Sequence, residues 1–165
     1  MPRWLRSLAF ALTLALAPTL PACGWIVGEI TQQLHRQRAL EQHVYEEDIA
    51  VLWKQVRDLW TSHGCEAPEQ PVIGETLACE ANDKRWLRVD PRDGGHRVEI
   101  EVERTQKDAE GNEKLVRERD WALEWKLLER VDPDKASEVE REAKAKGDKA
   151  KKATRELEDA VEQNN

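Results

Sequence analysis

The feature that most constrains this chain is an apolar stripe between residues 47 and 62. Ile49, Leu52, Trp53, Val56, Leu59 and Trp60 recur at i, i+3, i+4, i+7, i+10 and i+11, with Lys54, Gln55, Arg57 and Asp58 on the opposite face. That spacing puts every large apolar group on one side of an α-helix, and such a side has to be covered. Gly64 supplies a stop just beyond it. The two tryptophans on the stripe are expected in a core rather than on a ligand platform.

What could cover the stripe follows in the sequence. In His96–Glu103, Val98, Ile100 and Val102 alternate strictly with Arg97, Glu99, Glu101 and Glu103. A period of two means a strand with one buried and one wet face. Trp86–Val89 reads as its partner across Pro91-Arg92-Asp93-Gly94-Gly95, whose Asp-Gly-Gly tip is a hairpin signal. Asp108–Asn112 reads as a second turn before a strand at Lys114–Arg119, and residues 75–80 and His43-Val44-Tyr45 as short strands. Residues 121–131 fit either period: Trp121, Leu123, Trp125 and Leu127 alternate, whereas Leu123, Leu127 and Val131 share a helical face. Asp120 as a cap and Pro133 as a terminator favour a helix. The expected fold is α+β: a small antiparallel sheet of three to five strands packed on helix 47–62, and on helix 121–131, followed by a charged C-terminal helical tail.

That tail, residues 133–165, is built of Ala, Lys and Glu and is expected to be helical or partly disordered, loosened at Gly147. Ala143, Ala150, Ala153 and Leu157 suggest a thin seam, which leaves open a helix that docks on a partner.

At the other end, Arg3 and Arg6 precede an apolar run, Ser7–Leu20, of about 14 residues, against the roughly 20 that span a bilayer. A positive start, a short apolar stretch and a small residue before the cut are the parts of an export signal. Leu20-Pro21-Ala22-Cys23 resembles the lipobox of bacterial lipoproteins. The resemblance implies cleavage after a signal peptide of residues 1–22 and a covalent diacylglycerol and fatty-acyl (palmitate-type) lipid on Cys23, with no other cofactor. Gly24, where an Asp would favour inner-membrane retention, implies the outer membrane, with the protein facing the periplasm of the cell envelope. Residues 23–44 then read as a lipidated N-terminus and tether. Trp25, Ile26, Ile30 and Leu34 have rough helical spacing, but the polar run Gln32-Gln33 and His35–Arg38 favours a solvated tether. The domain proper is expected at 45–132.

The chain carries a formal charge of −7, and losing Arg3 and Arg6 with the signal makes it two units more negative. Such a balance repels phosphate backbones, so nucleic acid is not an expected partner. The tryptophans remaining after cleavage (Trp25, Trp53, Trp60, Trp86, Trp121 and Trp125) argue for a packed core. With Cys23 assigned to lipid, Cys65 and Cys79 are an even pair in an oxidising compartment and read as a disulfide. The alternative, a metal site of His63, Cys65 and Cys79, lacks a fourth ligand at a suggestive spacing.

No constellation carries catalysis, and the chain is not expected to be an enzyme. Ser62 and His63 are mere neighbours, Gly94-Gly95 sits in a hairpin tip, and Asp90–Gly94 lacks calcium-loop spacing. Glu99, Glu101 and Glu103 read as a solvated face, and no metal is expected.

The order of anchor cysteine, tether, amphipathic helix, hairpins and second helix is similar to the helix-grip layout of small envelope-assembly lipoproteins of the BamC/NlpB type, over residues 45–131. That resemblance is architectural; the anchor, the lack of a catalytic motif in the sequence and the long charged C-terminal segment lead to the expectation of a non-catalytic lipoprotein, held to the membrane by its lipid, that presents the domain to an envelope protein partner in outer-membrane assembly or maintenance. The rival reading is a periplasmic ligand- or lipid-binding module, with Trp53, Trp60 and Trp86 lining an apolar pocket between helix 47–62 and the sheet.

Overall fold

A computed structural model describes residues 20–81 and 83–163, so most of the predicted export signal lies outside the described residues. The elements run α1 (Leu20–Gln42), α2 (Ile49–Thr61), β1 (Thr76–Glu80), β2 (Lys84–Arg92), β3 (Gly95–Lys107), β4 (Glu113–Arg119), α3 (Trp121–Val131) and α4 (Pro133–Gln163). The four strands form one antiparallel sheet in the order β1-β2-β3-β4. The fold is α+β, as the two periodicities require.

Residues 37–138 form one compact unit. Asp48 caps α2 by accepting from the Ala50 N–H (2.8 Å), and Leu52, Trp53, Val56, Leu59 and Trp60 are its buried face. They share one core with Leu87, Val89, Val98 and Ile100 of the sheet and Leu123, Leu127 and Leu128 of α3. Beyond α2, Cys65 and Cys79 are joined in a disulfide, with Cα atoms 5.4 Å apart. The closed loop of about 15 residues is worth on the order of 3 kcal/mol through the entropy it removes from the unfolded chain.

The residues at 43–45 contribute a single bridge rather than a strand. Tyr45 N–H donates to His96 O (2.8 Å) and His96 N–H to Tyr45 O (2.9 Å). Gly95 makes this approach feasible, since a Cβ there would stand 2.0 Å from the Tyr45 carbonyl oxygen.

Residues 121–131 are helical, and the reason lies partly in a group that periodicity does not reveal. β4 ends at Arg119, leaving Ile100 of β3 without a strand partner on that side. Asp120 N–H donates to Ile100 O (2.7 Å), and Ile100 N–H donates to Glu124 Oε1 (2.9 Å). A carboxylate from α3 thus continues the ladder where the strand stops, and Asp120 caps the helix through the Leu123 N–H (3.2 Å). Glu124 is buried and ion-paired with Arg119. Burial raises its pKa, against the opposing pull of Arg119 and the Ile100 N–H.

A second compact unit contains α1 up to Arg36 and α4 from Val139. Here the structure corrects two expectations. Residues 24–42 are a helix, not a solvated tether, and α4 runs unbroken through Gly147. Both corrections have one cause. The α1–α4 seam is made of small and polar groups, which an apolar pattern cannot show. Arg36 donates to Glu140 through Nε (2.8 Å) and Nη2 (2.7 Å), and His35 lies between Glu142 (3.0 Å) and Lys146 (2.9 Å). Gly147 sits at the close approach. A Cβ there would fall 2.6 Å from the Gln32 side chain and 2.9 Å from the Gly28 carbonyl oxygen. The buried line of α4 in this unit is Val139, Ala143 and Gly147, while Leu157, expected on the seam, is 69% exposed.

Candidate functional site

The side of the sheet away from the core carries the most distinctive surface chemistry of the 37–138 unit. Along β2 the odd positions Arg85, Leu87 and Val89 are buried, so Trp86 and Arg88 point the other way. The antiparallel register sets Trp86 opposite Glu101 and Arg88 opposite Glu99. From β4, the Arg117 guanidinium lies over the Trp86 ring at 4.2 Å, with Lys84 Nζ at 5.8 Å. Arg117 is also ion-paired with Glu101, Arg97 pairs with Glu99 (2.8 Å) and Arg88 with Asp90 (2.8 Å). Around Trp86 lies an open groove of about 340 Å³, lined also by Thr76, Arg92 and Glu99.

Cation–π contact holds the indole flat against the sheet, half-buried, and the surrounding charges alternate in sign. Glu99 and Glu101 are each matched with an arginine. The groove therefore offers a rigid aromatic platform in a lattice of hydrogen-bonded charges. That chemistry suits recognition of another protein's polar and charged groups.

This placement separates the three tryptophans expected to line one pocket. Trp53 and Trp60 lie in the core, 2% and 1% exposed, with Trp53 Nε1 donating to Pro68 O (3.1 Å). Trp86 is on the opposite face of the sheet. The physical reason is the pleat: Leu87 and Val89 take the inward positions of β2, which leaves position 86 outward. The structure thus brings Trp53 and Trp60 together and removes Trp86 from them. Sequence reasoning missed Arg117 and Lys84 as its neighbours. Register alone pairs strands, and the diagonal contact from β4 is known only once three strands are aligned.

A second cavity of about 400 Å³ is lined by His43, Glu47, Asp132 and Lys135. His43 packs edge-on against Tyr45, ring centroids 4.4 Å apart. Burial lowers its pKa from the ordinary 6.5, although Asp132 and Glu47 pull the other way. The folded state therefore holds a neutral imidazole while the unfolded chain takes up a proton near 6.5. Stability from this group is complete above that pH and is lost as pH falls towards the lowered folded value. Denaturant titrations across this range should show that loss in the native chain and a flatter profile in His43→Gln; an unchanged profile would remove His43 as its cause. Burial likewise raises the Tyr45 phenol far above its ordinary value, so it stays protonated.

Among the described residues, no group of three or more His, Cys, Asp or Glu is arranged to hold a metal ion, and no helix is long and apolar enough to cross a membrane. Cys23 falls in α1, near its N-terminal end. Comparison with protein-family models, curated proteins and solved structures finds no match for this chain.

Proposed function

We propose that this protein is a non-catalytic lipoprotein of the bacterial envelope, acylated at Cys23, whose α+β unit offers the outer face of its sheet to a protein partner in outer-membrane assembly or maintenance. The observation that carries the partner reading is Trp86, held on a solvent-facing sheet beneath Arg117 and ringed by paired charges. An aromatic anchor with arginines around it is the composition that dominates binding energy at protein interfaces. The anchor reading is supported by Leu20-Pro21-Ala22-Cys23 and the short apolar run before it.

Two measurements test the two halves. Cys23→Ser should shift the protein from the membrane fraction to the soluble fraction, and a variant that stays bound would overturn the anchor. For the partner, a photo-crosslinker at Arg88 in cells should capture a discrete protein adduct that is lost in Trp86→Ala, while the variant keeps its native circular dichroism. Absence of an adduct, or one indifferent to Trp86, would overturn the docking face.

A further inference from the structure

The α1 helix has two opposed faces, and among the described residues of its unit only one is occupied. Gly24, Gly28 and Gln32 are buried and His35 is half-buried, on the side that meets α4. On the other side Ile26, Val27, Ile30 and Leu34 are 47%, 39%, 52% and 47% exposed. These four positions follow residue 23 by three, four, seven and eleven, so the exposed apolar line runs in register with the proposed acylation position. Between residues 23 and 34 the only charged side chain is Glu29, which lies off this line and pairs with Lys151 of α4 (3.7 Å). Cations follow immediately, at Arg36 and Arg38.

We infer that this face of α1 lies along the surface of the bilayer that holds the Cys23 lipid, with Ile26, Val27, Ile30 and Leu34 set into the headgroup–acyl boundary. The inference rests on acylation of Cys23. An acyl chain fixed in the membrane keeps residues a few turns away at a very high effective concentration of lipid surface, so weak apolar contacts suffice. The line from residue 23 to 34 is about 16 Å long, against the roughly 30 Å of a hydrocarbon core, so it can lie on the membrane but not cross it. The small-residue and ion-paired seam with α4 would keep the helix formed while its far side meets lipid.

The test uses the full lipidated chain purified from its host's envelope or a heterologous one. With Cys65 and Cys79 in a disulfide, Ile30→Cys or Leu34→Cys adds a single free thiol for an environment-sensitive fluorophore, and Lys152→Cys on the exposed side of α4 is the control. Samples are reconstituted in phosphatidylethanolamine–phosphatidylglycerol vesicles containing a spin-labelled quencher lipid. The expected result is blue-shifted emission and several-fold stronger quenching at positions 30 and 34 than at 152. A chain that floats with the vesicles and carries acyl mass on Cys23, yet is no more quenched at 30 and 34 than at 152, overturns this inference and leaves the anchor intact. Absence of acyl mass and of flotation overturns both. Disulfide crosslinking between two copies through position 30, without lipid quenching, assigns the face to self-association and also overturns it.

Discussion

Trp60→Ala should lower the stability of this protein by about 3–5 kcal/mol, the cost of deleting a large aromatic side chain from a closed core. Trp60 is 1% exposed and sits among Leu52, Leu59 and Val56 of its own helix and the inward residues of the sheet and α3. Its removal takes away apolar burial and leaves a cavity that the disulfide-bound loop and the sheet resist filling. The contrast that makes this informative is Trp86→Ala, expected to cost about 1 kcal/mol or less, because that indole loses mainly surface contacts with Arg117 and Lys84. Urea titrations of the two variants at one pH would compare midpoints at similar slopes. Equal costs for the two substitutions would mean that the sheet face at Trp86 is covered in solution or that Trp60 is not in a packed core. If Trp86→Ala is stable yet no longer captures the envelope partner, fold and recognition are separated on the two sides of one sheet.

The second large effect is expected at Glu124. Glu124→Ala leaves the Arg119 guanidinium and the Ile100 N–H without their acceptor, and removing one member of a buried pair costs roughly 3 kcal/mol. Glu124→Gln keeps an acceptor for Ile100 and should cost only about 1 kcal/mol. The reason for the milder effect is visible in the direction of the pKa shift. Burial outweighs the attraction of Arg119 and raises the pKa above the ordinary carboxylate range. The folded state thus resists loss of the Glu124 proton more than the unfolded chain does, so the uncharged amide of glutamine is expected to be accommodated there at small cost. The associated stability is complete below the unfolded value of 4.5 and is lost as pH rises through the higher folded value. Glu124→Gln should flatten the stability profile above pH 4.5, a change opposite in sign to the acid-side loss expected from His43. A variant with Gln that is as unstable as Ala, with no change in slope, would mean that Arg119 requires a charged partner.

Several elements could be placed from residue order. The Ile49–Trp60 stripe and the Val98–Ile100–Val102 alternation required a helix and a strand at those positions, and the structure has both. The hairpin tip at Asp93–Gly95 and the Cys65–Cys79 pairing were also legible, the first from turn chemistry and the second from parity. α3 was ambiguous because its residues satisfy two periods. Its choice of helix rests on Asp120 and Glu124 reaching Ile100, a relation between residues 20 or more positions apart. Arg85 has no signature in the periodicity: it is buried and donates to Asp120 (3.4 Å), because a guanidinium on the inward side can be tolerated when a carboxylate meets it.

What the sequence by itself determined is the chemistry that acts over a few neighbouring residues: helical and strand periods, the turn, the disulfide pair, and the expectation of a lipid on Cys23. Only the tertiary structure decided which polar groups are interior and which tryptophan is exterior. Trp86 faces outward because Leu87 and Val89 claim the core side of β2, and Arg117 covers it only because β4 lies two strands away in a fixed register. The ordering of residues 24–36 and of the charged C-terminal segment was likewise decided in three dimensions. Their seam is made of glycine, alanine and ion pairs, whose contribution depends on the two helices meeting closely enough for Gly147 to pass Gly28 and Gln32. Hydrophobic periodicity records burial of large apolar groups and is silent where close approach and paired charge hold a helix in place.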